Sequence, residues 1–232
     1  MKRSIVLFDI DGTLLTFEGS PPGPGRTALN RAMLRLHGVE RATDGMRVAG
    51  GTDLALARTL LTRAALAVDE PSMARLLAVY LEELGSVLET RRYHAIGDVA
   101  GCVAALRARG AIVGLATGNL REGARKKLSS AGIHAHFDLE LGGYGSDAEV
   151  RAEIVRCGAT RCGATPEDAV VVVGDTEFDV KAGRAVGAHV VGVATSAAAR
   201  AELEGAGADA IVDGCGEALV AAVLRGPLSA AR

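Results

Sequence analysis

Ala169-Val170-Val171-Val172-Val173 is the strongest strand signal in the chain, and it runs straight into Gly174-Asp175. A β-branched run with no polar residue alternating along it suits a strand covered on both faces. Such strands belong to parallel sheets flanked by helices, and the rest of the C-terminal part follows suit. Residues 99–109 read as an amphipathic helix stopped by Gly110, 111–116 as a strand, 122–131 as a helix stopped by Gly132, and 148–157 as a helix. After the valine strand come a helix at 178–186, a strand at 189–193, a helix at 197–205 and a strand at 210–212. Ser4 to Phe8 adds one more strand at the N-terminus. Alternating strands and helices predict an α/β fold, a parallel sheet with helices on both faces.

Between the first strand and the next stands a segment of different character. Ser20-Pro21-Pro22-Gly23-Pro24-Gly25 is the densest Pro/Gly cluster and reads as a linker or hinge. From 26 to 92, Leu29, Met33 and Leu36, then Leu56, Leu60 and Leu61, then Met73, Leu76, Leu77, Tyr80 and Leu84 recur at helical spacing. Three or four helices without strands make an insert. The expected division is a discontinuous core, 1–16 and 95–232, and a helical insert, 17–94.

Composition removes whole classes of function. Apolar residues are 49% and charged residues 23%, which excludes a disordered chain. The net charge is -2, and the 3% of aromatic residues includes no Trp, so neither a polyanion-binding face nor a set of base-stacking platforms is expected. No nucleic-acid partner follows. Asp9 and Asp11 end the apolar stretch Ile5-Val6-Leu7-Phe8 after four residues, and no run approaches the roughly 18 of a membrane span. The expectation is a cytoplasmic protein, monomer or dimer, with no membrane partner. Its four cysteines, Cys102, Cys157, Cys162 and Cys215, fit no zinc spacing and read as reduced thiols.

Ligands of open α/β sheets sit beyond the carboxyl ends of the strands. There the sequence places Asp9-Ile10-Asp11-Gly12-Thr13, then Thr117-Gly118-Asn119, then Gly174-Asp175 with Asp179 four residues on. Four carboxylates on one rim repel one another unless a cation sits among them. Oxygen ligands without Cys or His select a hard ion, and Mg2+ is the common choice. Asp9 and Asp11 would face opposite ways on a continuing strand, but Gly12 suggests that the strand has ended.

Asp-x-Asp-Gly-Thr after the first strand, a Thr after the second and Gly-Asp-x-x-x-Asp later, in that order, resemble the haloacid dehalogenase superfamily of aspartate-nucleophile phosphatases. The resemblance covers the whole chain. It implies a Rossmann-like core carrying an inserted α-helical cap, and Mg2+-dependent hydrolysis of a small phosphorylated metabolite through an aspartyl-phosphate. It implies Asp9 as nucleophile, Asp11 as general acid and base, and Thr117, Gly118 and Asn119 as phosphate clamp. Asp9, Asp11, Asp175 and Asp179 are the implied metal set. Asp11 and Asp175 argue against a dehalogenase. A phosphomutase of the β-phosphoglucomutase type and a non-catalytic phosphate- or metal-binding module stay open as alternatives.

The superfamily's third motif is a Lys, and the matching stretch here, Gly143 to Arg151, has none. Arg151 is the substitute that the sequence offers, since guanidinium holds phosphate oxygens and stays charged. Lys126 and Lys127 stand elsewhere and are not assigned to it. In the insert, Gly50-Gly51-Thr52-Asp53 reads either as a helix start capped by Thr52 or Asp53, or as a loop reaching the substrate.

Overall fold

The computed structural model describes residues 3–229, with side chains to residue 226. Six parallel strands form one sheet in the order β5-β4-β1-β6-β7-β8. They are β1 (Ser4–Phe8), β4 (Ile112–Thr117), β5 (Gly142–Tyr144), β6 (Ala169–Gly174), β7 (His189–Val193) and β8 (Ala210–Val212). Strand β1 pairs with β4 on one side and with β6 on the other. From β1 the chain builds outward through β4 to β5, then crosses to β6 and builds the other way. The crevice at such a reversal is where open α/β sheets bind ligands.

Alternation along β1 shows why it is central. Val6 and Phe8 enter the larger apolar cluster, and Ile5 and Leu7 enter a second cluster on the opposite face. All four are fully buried, which contributes about 1.5–3 kcal/mol per side chain in transfer terms. The register pairs Val6 with Val171 and Leu7 with Val172, so β6 sorts its valines the same way.

Helices cover both faces: α4 (Val99–Ala108), α5 (Arg121–Ser130), α6 (Arg151–Arg161), α7 (Glu177–Ala185), α8 (Ala197–Ala206) and α9 (Glu217–Ser229). The insert supplies three helices, α1 (Pro24–His37), α2 (Asp53–Arg63) and α3 (Glu70–Thr90). Thr52 and Asp69 cap the last two. A two-stranded antiparallel ribbon, β2 (Leu15–Phe17) with β3 (Tyr93–Ala95), brackets them.

Four elements carry no strong sequence signal. Strands β2, β3 and β5 have three residues each, and two of the three in β5 are Gly, so only the neighbouring strand defines them. Helix α9 lies beyond the last expected element. Helix α6 starts three residues later than its periodicity suggests, because Asp147 accepts from the Tyr144 amide and ties the preceding residues into a turn. The Pro/Gly linker is also shorter than expected, since Pro24 and Gly25 form the first turn of α1.

Candidate active site

The β1 ladder continues one residue past the strand, with the Asp9 amide donating to the Val173 carbonyl at 2.8 Å. The chain then reverses: the amides of Leu14 and Leu15 both donate to the Ile10 carbonyl. The turn needs Gly12, whose φ is +81° and where a Cβ would stand 2.0 Å from Oδ2 of Asp175. Ending the strand here lets Asp9 and Asp11 face one cavity of about 310 Å3. Asp175 and Thr117, at the ends of β6 and β4, line it as well.

Two arrangements of charge share that cavity. In the first, one carboxylate oxygen each from Asp9, Asp175 and Asp179 lie within 4.8 Å of one another. Arg151, the first residue of α6, enters this group: Nη2 is 2.9 Å from Asp9 Oδ1 and 2.7 Å from Asp179 Oδ1, and Nε donates to the same Asp179 oxygen at 2.9 Å. Its other terminal nitrogen, Nη1, donates to the Gly50 carbonyl of the insert at 3.2 Å. Nη2 is thus buried between the Asp9 and Asp179 carboxylates. The Asp9 carboxyl is pushed up to about 6, chiefly by burial and opposed by Arg151. Burial, Asp179 and Asp9 push Asp175 well above the carboxylate range. Carboxyls so destabilised as anions, with only oxygen donors among them, fit a hard divalent cation.

Asp179 is more occupied than the other two. Its Oδ2 accepts from the Thr176 amide at 3.0 Å and hydroxyl at 2.7 Å, the capping box of α7, while its Oδ1 is taken by Arg151. Asp9 and Asp175 are therefore the freer oxygen donors. Asp11 stands apart from them. Its carboxylate is not part of the three-carboxylate cluster and forms the second arrangement.

Lys127 Nζ lies 2.6 Å from Asp11 Oδ2, and Asn119 Nδ2 donates to the same oxygen at 2.8 Å. The Asn119 carbonyl in turn accepts from Lys127, and its amide also donates to Thr117 Oγ1 at 2.7 Å. Asn119 thus orients Asp11, Lys127 and Thr117, and its side chain is not free to clamp a ligand. Burial pushes Asp11 up, but Lys127 with the hydrogen bonds from Lys127, Asn119 and Tyr93 holds it below its ordinary value. The Asp11 side chain remains 39% exposed towards the cavity. Burial disfavours the Lys127 ammonium, yet Asp11, Tyr93, Tyr80 and Asp53 together raise it well above the usual lysine range.

Lys127 is the site residue that position in sequence does not reveal. A signal does exist: Gly123, Ala124, Lys127 and Leu128 form the buried stripe of α5, and a lysine on an apolar stripe requires a buried partner.

The two insert residues separate. Thr52 caps α2 by accepting from the Ala55 amide, donates to the Glu149 carbonyl at 3.2 Å and does not line the cavity. Asp53 does line it; its amide donates to the Gly118 carbonyl at 2.8 Å and its Oδ2 accepts from the Leu120 amide at 2.7 Å. Burial pushes its carboxyl up to about 6, with Lys127 opposing. Gly118 is pressed beneath the insert, where a Cβ would stand 2.4 Å from the Gly51 carbonyl oxygen.

Comparison with known proteins gives the class to which this sheet and its carboxylates belong. Residues 4–187 match the model of the haloacid dehalogenase-like hydrolases, and the chain belongs to that family. CbbY from Rhodobacter sphaeroides, in complex with phosphate, is 19% identical, covers 94% of this chain and 96% of its own, and has a TM-score of 0.68. A predicted phosphatase from Clostridium acetobutylicum is 17% identical over 97% of this chain and 100% of its own, with a TM-score of 0.68. A Bacteroides vulgatus protein provisionally assigned as a beta-phosphoglucomutase is 18% identical over 99% and 90%, with a TM-score of 0.65. No curated protein matches the sequence. Among the described residues no helix is long and apolar enough to cross a membrane.

Proposed function

We propose that this chain is a Mg2+-dependent phosphatase acting on a small phosphorylated metabolite through an aspartyl-phosphate on Asp9. The observation that carries this reading is the convergence, on one cavity, of Asp9 beside a buried guanidinium and Asp11 beside a buried ammonium. Asp9 and Asp175, with Asp179 behind them, are the residues that would hold the metal. When bound, it neutralises the repulsion between a carboxylate and an incoming phosphate dianion.

An oxygen of Asp9 attacks phosphorus, and the bond from phosphorus to the leaving oxygen breaks. Arg151 and the Thr117 hydroxyl face the phosphoryl oxygens, with the amides of Gly118 and Asn119 beside them. Asp11 is ionised in its Lys127 clamp, and a dianion entering the cavity raises its proton affinity, so that it takes up a proton from solvent as the substrate binds. It then gives that proton to the leaving oxygen. In the second half Asp11 takes a proton from water, the water oxygen attacks phosphorus, and inorganic phosphate leaves with Asp9 restored. The catalytic core comprises 1–16 and 95–232, and the helical insert, 17–94, closes the cavity as a cap that shields the acyl phosphate from stray water.

The test is release of inorganic phosphate from p-nitrophenyl phosphate with and without EDTA. Mg2+ should restore what EDTA removes, and Asp9→Asn should lose at least about 10³-fold in kcat. Full activity in metal-free buffer, or an active Asp9→Asn protein with deamidation excluded, would overturn the reading. Phosphoryl transfer between positions of a sugar phosphate without net release would establish the mutase instead.

A further inference from the structure

Three cations line the cavity: Arg26, Lys127 and Arg151. Lys127 is committed to Asp11, and Arg151 to Asp9 and Asp179. Arg26 has no carboxylate partner among the described residues. Its Nε donates to the Thr43 hydroxyl at 2.8 Å, and its Nη2 donates to the Thr43 carbonyl oxygen. Thr43 is fully buried, and its own amide and hydroxyl both donate to Asn30 Oδ1 at 2.9 Å. Asn30 stands one helical turn beyond Arg26 on α1, so helix and loop together build the cradle. Neutral acceptors fix one edge of the guanidinium and leave its charge uncompensated, with Nη1 free for a ligand.

The surroundings agree with an anion there. Gly23 and Gly25, at the start of α1, also line the cavity, and no side chain caps that helix. Its positive end therefore adds to the field of Arg26. Phe17, Leu29, Val48 and Leu56 give the same cavity an apolar wall. A space of about 310 Å3 with cations committed to carboxylates and a further, uncommitted one suits a short molecule with a charge on each end.

We infer that Arg26, seated on Thr43, binds a second anionic group of the substrate, which is therefore a short-chain phosphomonoester bearing a carboxylate or another phosphate. This rests on the phosphatase reading above and narrows it to a substrate class. Arg26 is then a specificity-determining residue supplied by the insert.

The experiment compares three probes that share a three-carbon chain: propyl phosphate, 3-phosphonooxypropionate and propane-1,3-diyl bisphosphate. In the wild-type enzyme, one of the two doubly anionic probes should exceed propyl phosphate in kcat/KM by about tenfold or more, as expected for a charge-assisted pair. Whichever leads identifies the anion as carboxylate or phosphate. Arg26→Gln should collapse that ratio towards one, and Arg26→Lys should retain part of it; the Lys variant also serves if Gln prevents folding. A wild-type ratio near one, or a ratio unchanged in both variants, overturns the inference. If no probe is hydrolysed, calorimetric titration with 3-phosphonopropionate and with propane-1,3-diylbisphosphonate, each against propylphosphonate, reads the second anion alone. An Arg26-dependent preference for either would uphold this site and its absence for both would overturn it, while p-nitrophenyl phosphate decides the phosphatase reading separately.

Discussion

Lys127 and Asp11 are 116 positions apart in sequence and 2.6 Å apart in the structure. The pair lines the cavity, and its ammonium is enclosed while its carboxylate still reaches the open space. Lys127 thus brings a buried cation to the cavity in addition to Arg151.

Lys127→Met should lower kcat/KM by about 10²-fold, the usual cost of one transition-state donor. It should also destabilise the fold by about 1 kcal/mol, because Asp11 loses its partner while staying partly solvated. Steady-state kinetics and urea melts measure the two effects. A variant with both values near wild type would make Lys127 an incidental neighbour.

Arg151→Ala should cut kcat/KM by about 10²-fold or more, since it removes the cation beside Asp9. Arg151→Lys should recover only part of this. An ammonium returns the charge but cannot reach Asp9, Asp179 and the Gly50 carbonyl from a single forked group. Equal activity of the Ala and Lys variants would show that charge at this point is immaterial.

Asp53 should make stability depend on pH. Its carboxyl is pushed from 3.8 to about 6 in the fold, so the native state binds the proton more tightly than the unfolded chain. Stability should therefore be greatest below the unfolded value, fall as pH rises through about 4 to 6, and level off above. Asp53→Asn keeps an acceptor for the Leu120 amide without the titration. Its stability relative to wild type should improve by about 2–3 kcal/mol between about pH 4 and pH 7. Parallel stability curves, read from chemical denaturation across that range, would remove Asp53 as the source.

Gly12→Ala should damage the metal set without touching a ligand. A Cβ there collides with Asp175 and demands a positive φ, so either the turn opens or the carboxylate moves. The cost to the fold should be about 1 kcal/mol or more. The midpoint of activation by Mg2+ should rise several-fold, and an unchanged titration would show that the turn tolerates the methyl.

What the sequence determined is local. The valine strand and its fellows carry their own burial pattern, so the parallel sheet is readable, and Asp9, Asp11, Thr117 and Asp175 are readable because each lies at or just beyond the carboxyl end of a strand. Arg151 is inferable only because it lies where the superfamily's third-motif lysine would fall. The three-residue strands β2, β3 and β5 are not, because their hydrogen bonds belong to neighbours distant in sequence. The same holds for the division of labour among side chains. Lys127 becomes a site residue only when α5 packs beside the cavity and faces its buried stripe inward. Thr52 and Asp53 are adjacent in sequence, yet the fold sends one to a helix cap and the other into the cavity. Arg26 pairs with no carboxylate among the described residues, and Thr43, 17 residues on, takes one edge of its guanidinium. A periodic apolar pattern records which face of an element is buried, but the partner of a buried charge depends on which elements meet, and tertiary packing alone decides that.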